Sequence, residues 1–190
     1  MLALVNLTPT SLRGLAHPLR VRMLGLLRQH GPATATMLAE RLAQSSGATS
    51  YHLRQLATYG FVVEETGRGV RRERWWKAAD KETLLDTATA DFAPDEIEAY
   101  FRAIAAQTVD RIDSWLSSMV TIPAEWHEAG TISDWRLRLT PAEANELQAK
   151  VFELVSGYRR ADSEGPFPAG AADVVFQLQM LTFPAAEVAG

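Results

Sequence analysis

Cysteine is absent from all 190 residues. A disulfide framework, a thiolate metal site and a thiol redox sensor are therefore excluded. Long apolar runs are missing too: no stretch approaches the roughly 20 residues that span a bilayer. The N-terminus shows no charged region followed by an apolar core and a cleavage site, so no signal peptide is expected and a cytoplasmic location fits. Nor is there a glycine-rich phosphate loop, a G-x-S-x-G elbow or an H-E-x-x-H helix, and neither enzymatic chemistry nor a cofactor is expected. Histidines number four. The nearest nitrogen–oxygen cluster is Glu125, His127 and Glu128 with Asp134, which reads as easily as an exposed polar turn, so no metal site is expected.

What is present is an ordinary globular composition, 47% hydrophobic, in a length that allows one or two domains. Charge is divided unevenly. Residues 1–80 carry 11 Lys and Arg against 5 Asp and Glu, whereas 81–190 carry 8 against 18. The front would be drawn to a polyanion and the rear pushed from it. The net charge of −4 is therefore no argument against a nucleic-acid partner; it argues for an orientation.

Residues 34–76 are the most informative stretch. Met37, Leu38 and Leu42 stripe one short helix; Leu53, Leu56 and Ala57 stripe a second. Ser45 and Ser46 are N-cap candidates for the second, and Gly60 stands where a left-handed C-terminal cap is wanted. Only a tight turn fits between the two, which predicts a steep crossing, the geometry of a helix-turn-helix. The polar side chains of the second helix, Ser46, Thr49, Ser50, Tyr51, His52, Arg54 and Gln55, suit base edges and phosphates. They also suit a plain solvated face. The strand formers Phe61, Val62 and Val63, the turn at 66–69, and Arg68, Arg71, Arg72 and Arg74 then predict a basic hairpin with Trp75 and Trp76 at its root. Basic hairpins also occur as solubilising edges. Directly after a helix-turn-helix, this one reads as a wing laid on the DNA backbone.

Segment 15–65 resembles the winged helix-turn-helix of ArsR-like bacterial transcriptional regulators. The resemblance is carried by Ala16-His17-Pro18-Leu19-Arg20, Met23-Leu24, Leu26-Leu27, Leu38-Ala39, Ser50-Tyr51-His52-Leu53-Arg54-Gln55-Leu56 and Gly60-Phe61-Val62. It implies double-stranded DNA as partner, pairing of two subunits through helices flanking the winged domain, and, by family analogy, repression. It covers less than half of the chain and leaves the operator and the signal open.

Around that centre, residues 2–7 read as a short strand or an arm. Pro18 opens a helix striped by Leu19, Met23, Leu26 and Leu27 and stopped by Gly31-Pro32. Arg13, Arg20 and Arg22 are possible further phosphate contacts, and His17 and His30 read as helix-end residues. The expected domains are a winged helix-turn-helix at 1–80, a connector at 81–93 and a dimerisation and effector domain at 94–190. The whole is mainly α with a small β component (α+β). In the rear domain a helix from Pro94 to about Met119 carries Ile97, Phe101, Ile104, Ile112 and Met119 on one face, the expected interface of a two-fold homodimer facing a palindromic operator. The other possibility is that this stripe packs on its own chain. Alternation at 135–139 and 174–183 predicts two strands flanking a helix that starts at Thr140. The aromatics Trp115, Trp126, Trp135, Phe152 and Phe176 would line a pocket for a small organic effector, or form a small core. The rival reading of the whole is a winged helix that binds a protein partner, or a regulator that needs no ligand.

Overall fold

Helices start where short polar side chains cap them. In the computed structural model, which describes residues 4–67, 73–80, 82–85, 91–161, 163 and 165–183, Thr8 accepts from the Ser11 amide and opens α1 (Pro9–Leu15). His17 accepts from the Leu19 amide through Nδ1 and opens α2 (Pro18–His30). Thr34 caps α3 (Ala35–Leu42), and Ser45, rather than Ser46, caps α4 (Ser46–Thr58). Each cap satisfies one of the amides that a helix start leaves without an intrahelical acceptor.

α4 ends as the sequence requires. Gly60 takes a φ of 80°, the Gly60 amide donates to Ala57 O (3.0 Å) and the Phe61 amide to Leu56 O (2.9 Å). This paired closure needs a left-handed residue, which glycine adopts without steric cost. Gly14 serves a different need. A Cβ there would lie 2.7 Å from the rings of both Tyr59 and Phe61, so the closeness of α1 to the end of α4 depends on the missing side chain.

Strands β2 (Ala33–Thr34), β3 (Val62–Glu65) and β4 (Trp75–Ala78) form an antiparallel sheet in the order β2-β4-β3. This is the expected hairpin, joined to the short strand before α3. Segment 2–7 contributes β1 (Leu4–Asn6), which pairs in parallel with β5 (Glu82–Leu84). The core beneath the sheet and helices gathers Leu12, Met23, Leu38, Leu53, Leu56 and Val62, all essentially inaccessible to solvent. The architecture is an α+β winged helix-turn-helix.

The chain divides into two compact units, Met1–Gly130 and Thr131–Gly190. The stretch 81–93, expected as a domain boundary, therefore lies within the first unit, and part of it is strand rather than polar connector. α5 (Pro94–Ser118) belongs to the first unit, because Tyr100 and Ala103 are buried in its core and Gln107 Nε2 donates to Val21 O (3.2 Å). The stripe expected on this helix is split. Ile97 and Ile104 pack against the chain's own core, Ile112 is half-buried, and Phe101 and Met119 are exposed. Val109 and Leu116, also exposed, join these last two on one face by helical spacing. Among the described residues no helix is long and apolar enough to cross a membrane.

The second unit holds α6 (Pro141–Ser156), opened by a capping box in which Thr140 and Glu143 bond reciprocally. The strands expected at 135–139 and 174–183 are not formed; neither segment enters a ladder among the described residues. Alternation marks a segment fit to be half of a sheet, but the ladder itself needs a second strand.

Candidate nucleic-acid interface

Helical geometry sorts the side chains of α4. Thr49, Leu53 and Leu56, at steps of four and three, are fully buried. The Thr49 hydroxyl donates to Ala35 O (2.8 Å), tying α4 to the first turn of α3. Thr49 is thus corrected from a groove-facing residue to the pin of the helix-turn-helix. The signal was available: Thr49 lies one turn before Leu53 on the same stripe.

The outward stripe runs Gly47, Tyr51, Arg54 and Thr58, all exposed. Tyr51 is 55% exposed despite its large apolar ring. Arg54 donates from Nε to Ser50 O (3.1 Å), one turn back on the same helix. Ser46 is exposed; Ser50, His52 and Gln55 are half-buried at the margins. Thr58 was not anticipated, though its spacing from Arg54 and Tyr51 identifies it.

On the wing, Arg74 is exposed and its Nε lies 4.0 Å from the Glu64 carboxylate, a loose surface pair of little energetic worth. Arg68, Arg71 and Arg72 lie outside the described residues. Two further arginines considered for phosphate contact are already engaged. Arg13 pairs with Glu96 at 2.5 Å and Arg22 with Asp110 at 2.6 Å, each joining the front of the chain to α5. Glu96 is the first cause of the raised pKa of Arg13.

The margin of α4 holds a cluster that the sequence did not reveal. The His17 and His52 rings lie 4.5 Å apart, and Tyr51 meets His52 edge-on. Arg20 donates from its terminal nitrogen to Arg13 O (2.9 Å). Arg20 Nε and His52 Nδ1 are shut from solvent without a hydrogen-bond partner. Burial, then His17 and Arg20, lowers the pKa of His52; burial, then Arg20, lowers that of His17. A proton on His17 Nδ1 would also remove the acceptor that caps α2. Both rings bind protons less readily folded than unfolded, so stability is present above the unfolded value of about 6.5 and declines as pH falls below it. The expected result is a denaturation midpoint that drops between pH 6.5 and 5, with a shallower drop in His52→Gln. Equal pH profiles for the two proteins would refute the coupling.

The aromatic residues expected to line a pocket fall in different units. Trp115 is half-buried against Gly130, and Trp126 is half-buried in the same unit. Trp135, Phe152 and Phe176 are all exposed in the second unit, so in the chain taken singly they form no core. His127 Nε2 lies 3.0 Å from Ile122 O. No group of three or more potential metal ligands gathers among the described residues.

Residues 15–65 match the family model described as a helix-turn-helix domain. No curated protein matches the chain in sequence. Among solved structures, YusO of Bacillus subtilis is 13% identical over 79% of this chain and 81% of its own, with a TM-score of 0.34. A MepR variant of S. aureus, bound to an oligodeoxyribonucleotide, is 15% identical over 74% and 78%, with a TM-score of 0.31. RV1404 of Mycobacterium tuberculosis is 15% identical over 81% and 83%, also at 0.31. The family match spans the end of α1 through β3, the elements that hold the pin and the outward stripe, and segment 15–65 is a helix-turn-helix domain.

Proposed function

We propose that this chain is a sequence-specific DNA-binding transcriptional regulator of ArsR-like type, acting as a homodimeric repressor. The observation that carries the reading is the exposed stripe of Gly47, Tyr51, Arg54 and Thr58, held outward by the buried Thr49, Leu53 and Leu56. Tyr51 would address base edges in the major groove and Arg54 a flanking phosphate, with Ser46 beside them and Ser50, His52 and Gln55 at the margins. Arg74, with Arg68, Arg71 and Arg72, would hold the backbone from the wing.

The exposed face of Phe101, Val109, Leu116 and Met119 on α5 supports pairing with a second copy, because a long apolar stripe in water marks an interaction surface. A two-fold pair would set two α4 helices on half-sites about 34 Å apart. Double substitution Phe101→Glu and Leu116→Glu is expected to raise the concentration at which the pair dissociates and to weaken operator binding at least tenfold. An unchanged dissociation concentration would remove α5 from the interface. The reading extends to a small organic effector that shifts the population between operator-competent and incompetent pairs. A specific ligand in a metabolite panel would raise the melting temperature of the whole chain.

Selection of bound sequences from random duplex DNA tests the reading as a whole. A palindromic motif with one-turn spacing is expected, Tyr51→Ala is expected to change the preferred sequence, and Arg54→Ala to weaken binding. Failure to enrich any sequence would favour the rival, a winged helix that binds protein.

A further inference from the structure

The second unit, taken by itself, has no interior. None of its described residues is buried, although it carries Trp135, Phe152, Tyr158, Phe167, Phe176 and Phe183 at exposures from 47% to 79%. At about 200 Å² per fully accessible aromatic, roughly two-thirds exposed, these six alone present on the order of 800 Å². One partner in a standard stable interface contributes about 800 Å². Apolar exposure on this scale favours an interaction surface.

The backbone states what kind of occupant. Segment 135–139 alternates apolar and polar residues at period two, and so does 174–180 apart from Val175, yet neither is in a ladder among the described residues. Leu147, Val151, Leu154 and Val155, with Tyr158 just past its end, put an apolar stripe on α6 that would cover one face of a sheet built from such strands. Like charge then excludes one pairing. If 135–139 paired antiparallel with itself about Leu137, Arg136 would stand opposite Arg138, and like charges directly opposite destabilise a ladder. Paired with 174–180, the same arginines stand beside Gln177 and Gln179, while Trp135, Leu137 and Leu139 share a face with Val174, Phe176, Leu178 and Met180.

We infer that the second unit completes its fold only in a pair of chains, with segment 135–139 of one copy forming a ladder with segment 174–180 of the other. The exchange is reciprocal under a two-fold axis, so both chains gain the same ladder. The two α6 helices cover one face, and Arg136 and Arg138 stand on the other. This inference rests on the homodimeric reading and assigns it a second, independent seam.

The chain's lack of cysteine makes the test direct. Full-length single variants Arg136→Cys, Arg138→Cys, Gln177→Cys and Gln179→Cys are mixed in pairs, one from each segment, and oxidised; solution mass is measured on the wild type. Adjacent strands bring opposite Cβ atoms to about 4.5–5.5 Å, near enough for a disulfide after small adjustment. The expected result is a dimeric wild type and a covalent mixed dimer in at least one pairing, several-fold more abundant than the product of either variant alone. A dimer without any mixed cross-link overturns the exchanged ladder and leaves pairing through α5 standing. A monomeric mass overturns both, as would a small molecule that orders the unit while the mass stays monomeric. In a further full-length variant carrying Arg136→Cys and Gln179→Cys together, a bond formed only within one chain overturns the exchange in favour of closure in cis. No DNA enters the experiment, so its outcome is separable from the DNA-binding reading.

Discussion

Replacing Leu53 by alanine is expected to destabilise the first unit by about 2–5 kcal/mol, the usual cost of emptying a fully enclosed leucine site. Leu53 is completely buried and belongs to the cluster that includes Leu38, Leu42, Leu56 and Phe61. The pinning hydroxyl of Thr49 lies one turn away on the same face, so the site has little freedom to collapse. A loss of this size is a large share of the roughly 5–15 kcal/mol that holds an ordinary domain together. Denaturant unfolding followed by far-ultraviolet dichroism gives the number. Leu53→Met, which conserves volume, is expected to cost less than about 1.5 kcal/mol. Val63→Ala, on an exposed strand position, is expected to stay within about 0.5 kcal/mol of the parent. If Leu53→Ala were as mild as Val63→Ala, the core assignment of α4, and with it the outward stripe, would be wrong.

Short-range physics is what the sequence made legible. The start of α4, the closure at Gly60 and the proline-led starts of α2 and α5 all follow from residues within one turn of the feature they control. What depends on a distant partner was not legible. Ile97 and Ile104 share the pattern of Phe101 and Met119, yet α1 and α2 give the first pair a neighbour and leave the second pair exposed. His17 and His52 look like isolated ring residues in sequence, and only the packing of α2 on α4 makes them a pair. Segments 135–139 and 174–180 show the same limit from the other side: their alternation is plain, and among the described residues of the chain no strand completes either one.

Charge counting has the same weakness, and it decides how strongly salt should act. The 11 basic residues of the front overstate the charge offered to DNA, because Arg13 and Arg22 are neutralised by Glu96 and Asp110 from α5. In the proposed dimer, Arg54 and Arg74, with Arg68, Arg71 and Arg72 expected on the wing, would make about 6–10 phosphate contacts, for which binding should weaken by roughly 10³–10⁵ between 50 and 200 mM salt. The slope of log affinity against log salt tests the assignment residue by residue. Arg54→Ala takes away one neutralised phosphate per subunit, so the slope is expected to fall by about 2 per dimer, at about 0.9 for each phosphate. The double substitution Arg71→Ala and Arg72→Ala is expected to weaken binding on every sequence alike, since backbone contacts do not read bases. Arg13→Ala is expected to leave the slope unchanged, because its guanidinium already faces a carboxylate within the chain. Fluorescence anisotropy of a labelled duplex over a salt series measures all four proteins. A flat dependence for the wild type would mean that the cationic front does not meet a phosphate backbone. A loss of slope in Arg13→Ala equal to that in Arg54→Ala would mean that the ion pair to Glu96 opens on DNA, moving the contact surface from the face of α4 toward α1.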